Sequence, residues 1–433
     1  MINFKNRFLN SKKVSIWGLG YLGYTSLLKL QNYGIKASVY DFKVSRLKEL
    51  SSFTYPNKEQ LNGWTKNGQI PSLNNDYITI CYDPDLMFEN DIHIISFPNL
   101  MDSSYKKLAR FFENNKFKLK KTLVLFQSVG VPTKIESDFL KLLKNKGINV
   151  DVVTLFRSDW TIEDFLKKDT NRTVSFNRKK AYKKAKYFLS FFNIKATKIS
   201  SIEEAEVFEN AKNALNYTIL AFFNQLSLSY PHIDINTLSK KLINKIDPKN
   251  FSLGVSNVDF KSQQSIEHLI GASTGDYLSI LKEASITNLA FLFYYVDLLK
   301  KKKISTITIV GLSTYNSFKD IRMSPSVILA EYLNKNNINV TIYDDHFKHD
   351  EILEILPFST VLDISKENIV SDAIVIMNIN NNVRFLNQKE IKENGLFKVK
   401  LIIDNTGFFR KFKFSKKTQY HQFGDNKLIE VIK

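Results

Sequence analysis

The readable pattern begins with an apolar run that ends at Gly18. An amphipathic stretch follows, and a second apolar run ends at Asp41. That is the period of a strand, a helix and a second strand. Short β-rich runs continue at Tyr77–Cys81, Asp91–Phe97, Thr122–Gln127 and Val150–Phe156, with helical periodicity over Tyr105–Asn114 and Ile135–Lys146 between them. From Ile202 the period lengthens. Ile202–Ser229 and Leu278–Leu299 each run without Pro or Gly and repeat apolar residues at helical spacing, whereas Pro231–Gly275 between them is mixed. At Ile304 a second alternation opens: STITIVGL, a loop to Pro325, a helix to about Asn334, the strand NVTIYDD, then apolar runs at Ala373–Met377 and Val399–Ile403. The pattern predicts an α/β protein with two Rossmann-like domains joined by a central helical region. A helix as long as Ile202–Ser229 can span two lobes and supply a dimer face.

The first turn carries chemistry as well as pattern. In GLGYLG, Gly18 allows a tight turn, Gly20 lets a pyrophosphate approach the backbone, and Gly23 lets helix pack on strand. The helix start at Tyr21 and Leu22 presents free amides to phosphates. Asp41 stands where a ribose hydroxyl is bound, and its charge favours NAD over NADP, with Lys43 and Arg46 pulling the other way. In a doubly wound sheet ligands bind beyond the carboxyl ends of the strands, which points to the loops at Pro98 and Ser128.

Length and charge add less. The 433 residues imply two or three domains. The formal net charge of +19 comes from short scattered runs such as Lys118–Lys121 and Lys300–Lys303. It reads as a Lys- and Asn-rich background, with attraction of a phosphorylated substrate as the alternative. No aromatic-basic platform or helix-turn-helix signature argues for nucleic acid. A single cysteine, Cys81, excludes an internal disulfide and a cysteine metal cluster. No stretch has signal-peptide or membrane-spanning character, so no membrane insertion and a cytoplasmic location are expected. Arg410–Lys417 reads as a solvated basic edge. His346 and His349, beside Asp344 and Asp345, read as a solvated loop after a strand, with no metal expected.

Several separate blocks resemble the UDP-glucose/GDP-mannose dehydrogenase family over nearly the whole chain. GLGYLG with Asp41-Phe42-Lys43-Val44 is similar to its cofactor turn, Ala205–Leu226 to its central helix, and GLSTYNSFKDIRMSP (Gly311–Pro325) to its sugar-binding loop. The resemblance implies an NAD-binding Rossmann domain (1–200), a central helical dimerisation domain (201–300) and a nucleotide-sugar-binding Rossmann-like domain (301–433). It also implies NAD as cofactor, a nucleotide-sugar substrate and a homodimer through the central helices. In that family a Cys thiolate carries a thioester between two hydride transfers, a Glu assists hydrolysis, Lys and Asn steady the oxyanion, and an Asp holds a water or acts as base.

Matched residue by residue, the chain departs from this machinery. LIGASTGDYLSIL puts Ala272 at the Cys position when Asp276 is paired with the Asp. The Lys falls on Glu209, the hydrolytic Glu on Thr154 and the sugar-loop Lys on Tyr315, whereas Asn213, Arg157, Arg322, Ser324 and Pro325 remain. Lys212, roughly 300° round the helix from Glu209, leans to the same side and is the candidate replacement charge. Ser273 has a hydroxyl pKa too high to replace a thiolate without a base, and His268 is the only histidine near it. The candidate catalytic residues are therefore Asn213, Asp276 (against a helix N-cap) and Lys212. Arg322 and Tyr315 are the candidate substrate contacts, Arg322 weighed against a surface ion pair with Asp320. Two readings follow. One is an NAD-dependent oxidoreductase on a nucleotide sugar in surface polysaccharide synthesis that does not use the thioester route; the other is a homologue that binds NAD or nucleotide sugar without oxidising it.

Overall fold

A computed structural model describes residues 13–56, 64, 73–97, 102–119, 122–157, 159, 162–166, 170–191, 194–230, 232–246, 260–275, 277–313, 321, 323–363, 369–379 and 399–425. The chain divides into two compact units, Met1–Lys212 with Glu267–Gly275, and Asn213–Ile266 with Asp276–Lys433.

The first unit contains, in chain order, β1 (Val14–Trp17), α1 (Tyr21–Asn32), β2 (Ala37–Tyr40), α2 (Val44–Ser51), β3 (Ile78–Ile80), β4 (Ile92–Ile95), α3 (Asp102–Asn114) and β5 (Leu123–Phe126). A π-helical turn, Ile135–Leu140, runs into α4 (Lys141–Asn145), and β6 (Asp151–Leu155), α5 (Ile162–Leu166), β7 (Thr170–Phe176), α6 (Lys179–Phe191) and β8 (Ile194–Lys198) follow. The strand order is β3-β2-β1-β4-β5-β6-β7-β8, parallel except where β7 runs against β6. Alternation along β1 sends Ile16 to one face with Leu27, Val39 and Leu125, and Trp17 to the other with Ile95, Phe126 and Phe139. Both faces are covered, which is why these strands read as unbroken apolar runs. The order reverses between β1 and β4, which places the ligand crevice beside the glycine turn.

The helix α7 (Ile202–Ser229) follows, then α8 (Ile235–Ile246), α9 (Phe260–Ala272) and α10 (Ser279–Lys301). The second sheet is built from β9 (Thr306–Val310), α11 (Pro325–Lys335), β10 (Asn339–Tyr343), α12 (His349–Ile355), β11 (Thr360–Val361), β12 (Ala373–Ile376), β13 (Leu401–Asp404) and β14 (Gln419–Gln422). Its order, β11-β10-β9-β12-β13-β14, repeats that of β3 to β6 in the first sheet, β3-β2-β1-β4-β5-β6, and every pair is parallel. Ser324 caps α11, its hydroxyl accepting from the Ser326 and Val327 amides, and Pro325 occupies the first turn, where no N–H is needed.

One sequence reading is corrected here. The histidine pair is not a solvated loop: His346 is buried, with Nδ1 3.3 Å from Asp344 Oδ1, and His349 opens α12 on the exposed side. Residues 170–191 and 194–198, which carry no clear apolar period, form β7, α6 and β8. Of their polar β-strands, IKATK lies at the sheet's outer end, whereas TNRTVSF is buried over Arg172–Ser175 and is held by polar pairings, Thr173 with Glu209 and Ser175 with Thr154, instead of an apolar run.

Candidate active site

The glycine turn is built as its spacing requires. Gly18 has φ of +99°, and its amide donates to the Tyr40 carbonyl at 2.8 Å, tying the end of β1 to β2. A Cβ on Gly23 would lie 1.8 Å from the Gly18 carbonyl oxygen, so only glycine lets α1 start here. A Cβ on Gly20 would meet nothing within 4 Å, because Gly20 faces open space at the uncapped start of α1. One glycine is thus demanded by the fold, and the other lines room for a ligand.

Asp41 is buried at the end of β2 and grips this turn. Oδ2 accepts the Leu19 amide at 2.7 Å and Arg46 Nη1 at 3.2 Å; Oδ1 accepts the Lys43 amide at 2.7 Å. A carboxylate offers about four lone-pair directions, so one acceptor site remains for a hydroxyl. The Tyr55 hydroxyl donates to the Leu19 carbonyl and closes the turn from the far side. Behind α1, Arg157 Nη1 donates to the Leu22 carbonyl at 2.9 Å, and the Tyr21 hydroxyl donates to Asp159 Oδ2 at 3.0 Å. Burial alone would raise the Asp159 carboxyl; the Arg157 charge and hydrogen bonds overcome it and hold it well below the usual carboxylate range. The Arg157 guanidinium also lies 3.7 Å from the centre of the Phe165 ring.

Among the described residues, the buried hydroxyls of Ser96, just past β4, and Ser128, just past β5, have no hydrogen-bond partner. Both lie at the carboxyl ends of strands beside the switch point, where a bound dinucleotide would satisfy them. Together with the open ground at Gly20, these residues fit a dinucleotide.

The loop leaving β5 is held from α7. Thr133 takes φ of +73°, unusual for a β-branched residue, and its amide donates to Glu206 Oε2 at 3.1 Å. Burial pushes the Glu206 carboxyl up to about 8 against the pull of the Ile135 and Thr133 amides. One turn on, Asn210 Nδ2 donates to the Gly130 carbonyl at 3.0 Å and to the Glu206 carbonyl at 2.9 Å. Glu209 accepts from Thr173 Oγ1 at 2.7 Å and pairs with Lys212. Thr154 lies buried in β6, its hydroxyl 2.6 Å from Ser175 Oγ. The positions resembling the family's Lys and hydrolytic Glu are therefore filled by residues satisfied within the fold. Ser273 Oγ sits 2.9 Å from the carbonyl oxygens of Ile270 and Gly275, the arrangement of a helix-end turn.

In the second unit Gly311 has φ of +91°, its amide donates to the Tyr343 carbonyl at 2.8 Å, and Asp344 Oδ2 accepts the Leu312 and Ser313 amides at 2.6 and 3.2 Å. The turn of the first unit is repeated without its second and third glycines. Asn213 Nδ2 donates to Ser265 Oγ at 3.2 Å. Asp344, Asp345 and His346 bring their donor atoms within 4.8 Å of one another. Pro98, Asp276, Tyr315 and Arg322 lie outside the described residues. Glu206, Asn210, Ser96 and Asp159 were not singled out from the sequence. The signal for the first two was a polar stripe, Glu206, Glu209, Asn210 and Asn213, at helical spacing in an otherwise apolar helix.

Two doubly wound sheets, with a dinucleotide-type turn in the first, define a two-sheet α/β protein of the Rossmann type. Residues 308–411 match the UDP binding domain of the UDP-glucose/GDP-mannose dehydrogenase family. The chain is 24% identical over 425 residues to a UDP-N-acetyl-D-mannosamine dehydrogenase from Methanococcus aeolicus, covering 92% of each. Its fold is similar to that of a UDP-glucose dehydrogenase from Pyrobaculum islandicum (TM-score 0.73, 15% identity, 96% and 98% of the two chains). It is likewise similar to the UDP-N-acetyl-mannosamine dehydrogenase Cap5O of Staphylococcus aureus (TM-score 0.72, 18% identity, 97% and 100% covered). Residues 308–411 thus match that family's UDP binding domain, and over nearly its whole length the chain is similar in sequence to one nucleotide-sugar dehydrogenase and in fold to others. Among the described residues no helix is long and apolar enough to cross a membrane.

Proposed function

We propose that this protein is an NAD-dependent oxidoreductase that oxidises an alcohol group of a nucleotide sugar, in cytoplasmic synthesis of a surface polysaccharide precursor. The observation that carries this reading is the glycine turn, open at Gly20 and closed at Gly23, in a chain whose residues 308–411 match a UDP binding domain. The dinucleotide would supply a hydride acceptor. Around it, the amides at the start of α1 would face the pyrophosphate, Asp41 would offer its remaining acceptor site to a ribose hydroxyl, and Ser96 and Ser128 would find partners at the crevice. Arg46 is already engaged by Asp41, which supports NAD over its 2′-phosphorylated form. Arg322 and Tyr315 are proposed to contact the nucleotide sugar, and Asn213 and Asp276 to act at the reacting alcohol, with the stretch 201–300 serving dimerisation.

The four-electron thioester route is not expected. The sole cysteine, Cys81, is buried in the first unit, and burial raises its thiol pKa, so it offers little thiolate. Lys212 is tied to Glu209. The reaction would stop at two electrons. The test is incubation with NAD and a panel of UDP- and GDP-sugars, following NADH and product mass. A carbonyl product with one NADH per sugar is expected; a uronic acid with two NADH per sugar would overturn the two-electron route. Glu209 and Thr154, satisfied within the fold, favour a second reading in which the protein binds without oxidising. Calorimetric binding of NAD or a sugar nucleotide with no turnover across the panel would select it.

A further inference from the structure

We propose that His268 is the general base of this site and that Asn210 is the residue that positions it; the proposal rests on the oxidoreductase reading given above. The argument begins with an amide that has no freedom to flip. Asn210 is fully buried, and its Nδ2 group spends both hydrogens, one on the Gly130 carbonyl and one on the Glu206 carbonyl. Its Oδ1 must therefore be the atom facing His268, where it lies 3.3 Å from Nδ1. An amide oxygen only accepts, so Nδ1 carries the ring proton and Nε2 is left with its lone pair. Among the described residues none hydrogen-bonds Nε2. A base oriented by a third group, with one nitrogen fixed as donor and the other free to accept, is the arrangement general-base chemistry needs.

Charge and position agree with this. His268 is half-buried, and desolvation lowers its pKa, so the ring is neutral near pH 7 and able to take a proton. Asn210 holds Gly130, and Gly130 belongs to the loop leaving the carboxyl end of β5, beside the switch point where the dinucleotide fits. His268 precedes, on α9, the segment in which Ala272 stands where the resemblance expects a cysteine. With the thiol gone, a two-electron alcohol oxidation still needs a proton acceptor. The substrate's O–H and C–H bonds break and a C=O bond forms. The O–H proton passes to His268 Nε2, and the dinucleotide, when bound, would supply the acceptor for the hydride and, with it, for the two electrons the alcohol carbon loses.

The tautomer can be read without any turnover. Full-length protein labelled with ¹⁵N-histidine is studied by long-range ¹H–¹⁵N correlation at pH 7.5, with His268 assigned by its loss in His268→Gln. A neutral ring protonated at Nδ1 is expected, becoming a mixture of tautomers in Asn210→Ala; an Nε2-protonated ring or an imidazolium in the wild type would overturn the proposal. With a turned-over sugar, His268→Gln is expected to lower kcat by about 10²- to 10⁴-fold while the Kd for NAD stays within about twofold. An unchanged kcat would also overturn it. His268→Asn serves in its place should Gln lower the melting temperature. If the wild type oxidises no sugar in the panel, the reaction reading fails on its own, and the spectrum still decides whether Asn210 holds His268 as a base.

Discussion

Asp41 accepts the amide of Leu19 at 2.7 Å, so that the acid ending the second strand also fixes the turn ending the first. The same relation recurs in the second unit, where Asp344 accepts the amide of Leu312 at 2.6 Å. Asp41, which reads in sequence as a ligand contact, is thus first a structural acceptor, and Asp344, read as part of a solvated loop, plays the same structural part.

Replacing Asp41 with Ala should therefore cost stability as well as binding. It strips acceptors from two amides and a guanidinium, about 2–3 kcal/mol by the usual worth of hydrogen bonds to a charged group. A lower melting temperature together with at least tenfold weaker NAD binding by calorimetry is expected. A stable variant with weakened binding alone would show that the turn does not depend on the carboxylate.

The two inner glycines should separate folding from binding. Gly23→Ala forces a Cβ to 1.8 Å from a backbone oxygen and is expected to unfold or displace α1. Gly20→Ala meets nothing in the protein and should melt as the wild type does, yet lose NAD affinity, because the methyl occupies the ground a pyrophosphate needs. Circular dichroism melts beside calorimetric titration check the pair.

His93 sets an acid limb to the stability curve. It is fully buried on β4, its Nδ1 accepting from the Trp17 indole at 3.1 Å, and burial, partly offset by the Asn90 backbone, pushes its pKa down to about 3. A folded-state value below the unfolded one means that the unfolded chain binds the proton more readily. Stability is intact above about pH 6.5 and falls as pH drops toward 3, approaching about 1.4 kcal/mol per pH unit from this one ring. Urea melts from pH 7 to pH 4 should show that slope, and it should flatten in His93→Phe, which keeps a ring beside Trp17, Phe88 and Phe112.

Leu215 and Phe222 are 58% and 54% exposed on α7, two turns apart on the same side of the helix. Within the proposed dimer they would be covered. Leu215→Lys with Phe222→Lys is expected to give a monomer by sedimentation velocity, with the wild type sedimenting as a dimer. A wild-type monomer at micromolar concentration would remove the dimer proposal.

Local features are legible in the sequence. The turn from Gly18 to Gly23, the strands that flank it, the Pro-free run Ile202–Ser229 and the second alternation from Ile304 are set by short-range sterics and by a burial period that each segment carries alone. It also carried Asp41, because strand, helix and strand fix the distance from turn to acid. What surrounds the turn is set by long-range packing. Glu206 meets Thr133, Asn210 meets Gly130 and His268 meets Asn210 across 73, 80 and 58 residues of chain. No period records such pairings, since a buried polar side chain takes whatever partner packing brings to it. For the same reason Lys212, a free charge when read on the helix alone, is committed to Glu209 in the fold, and His346, read as a loop residue, is packed beside Asp344.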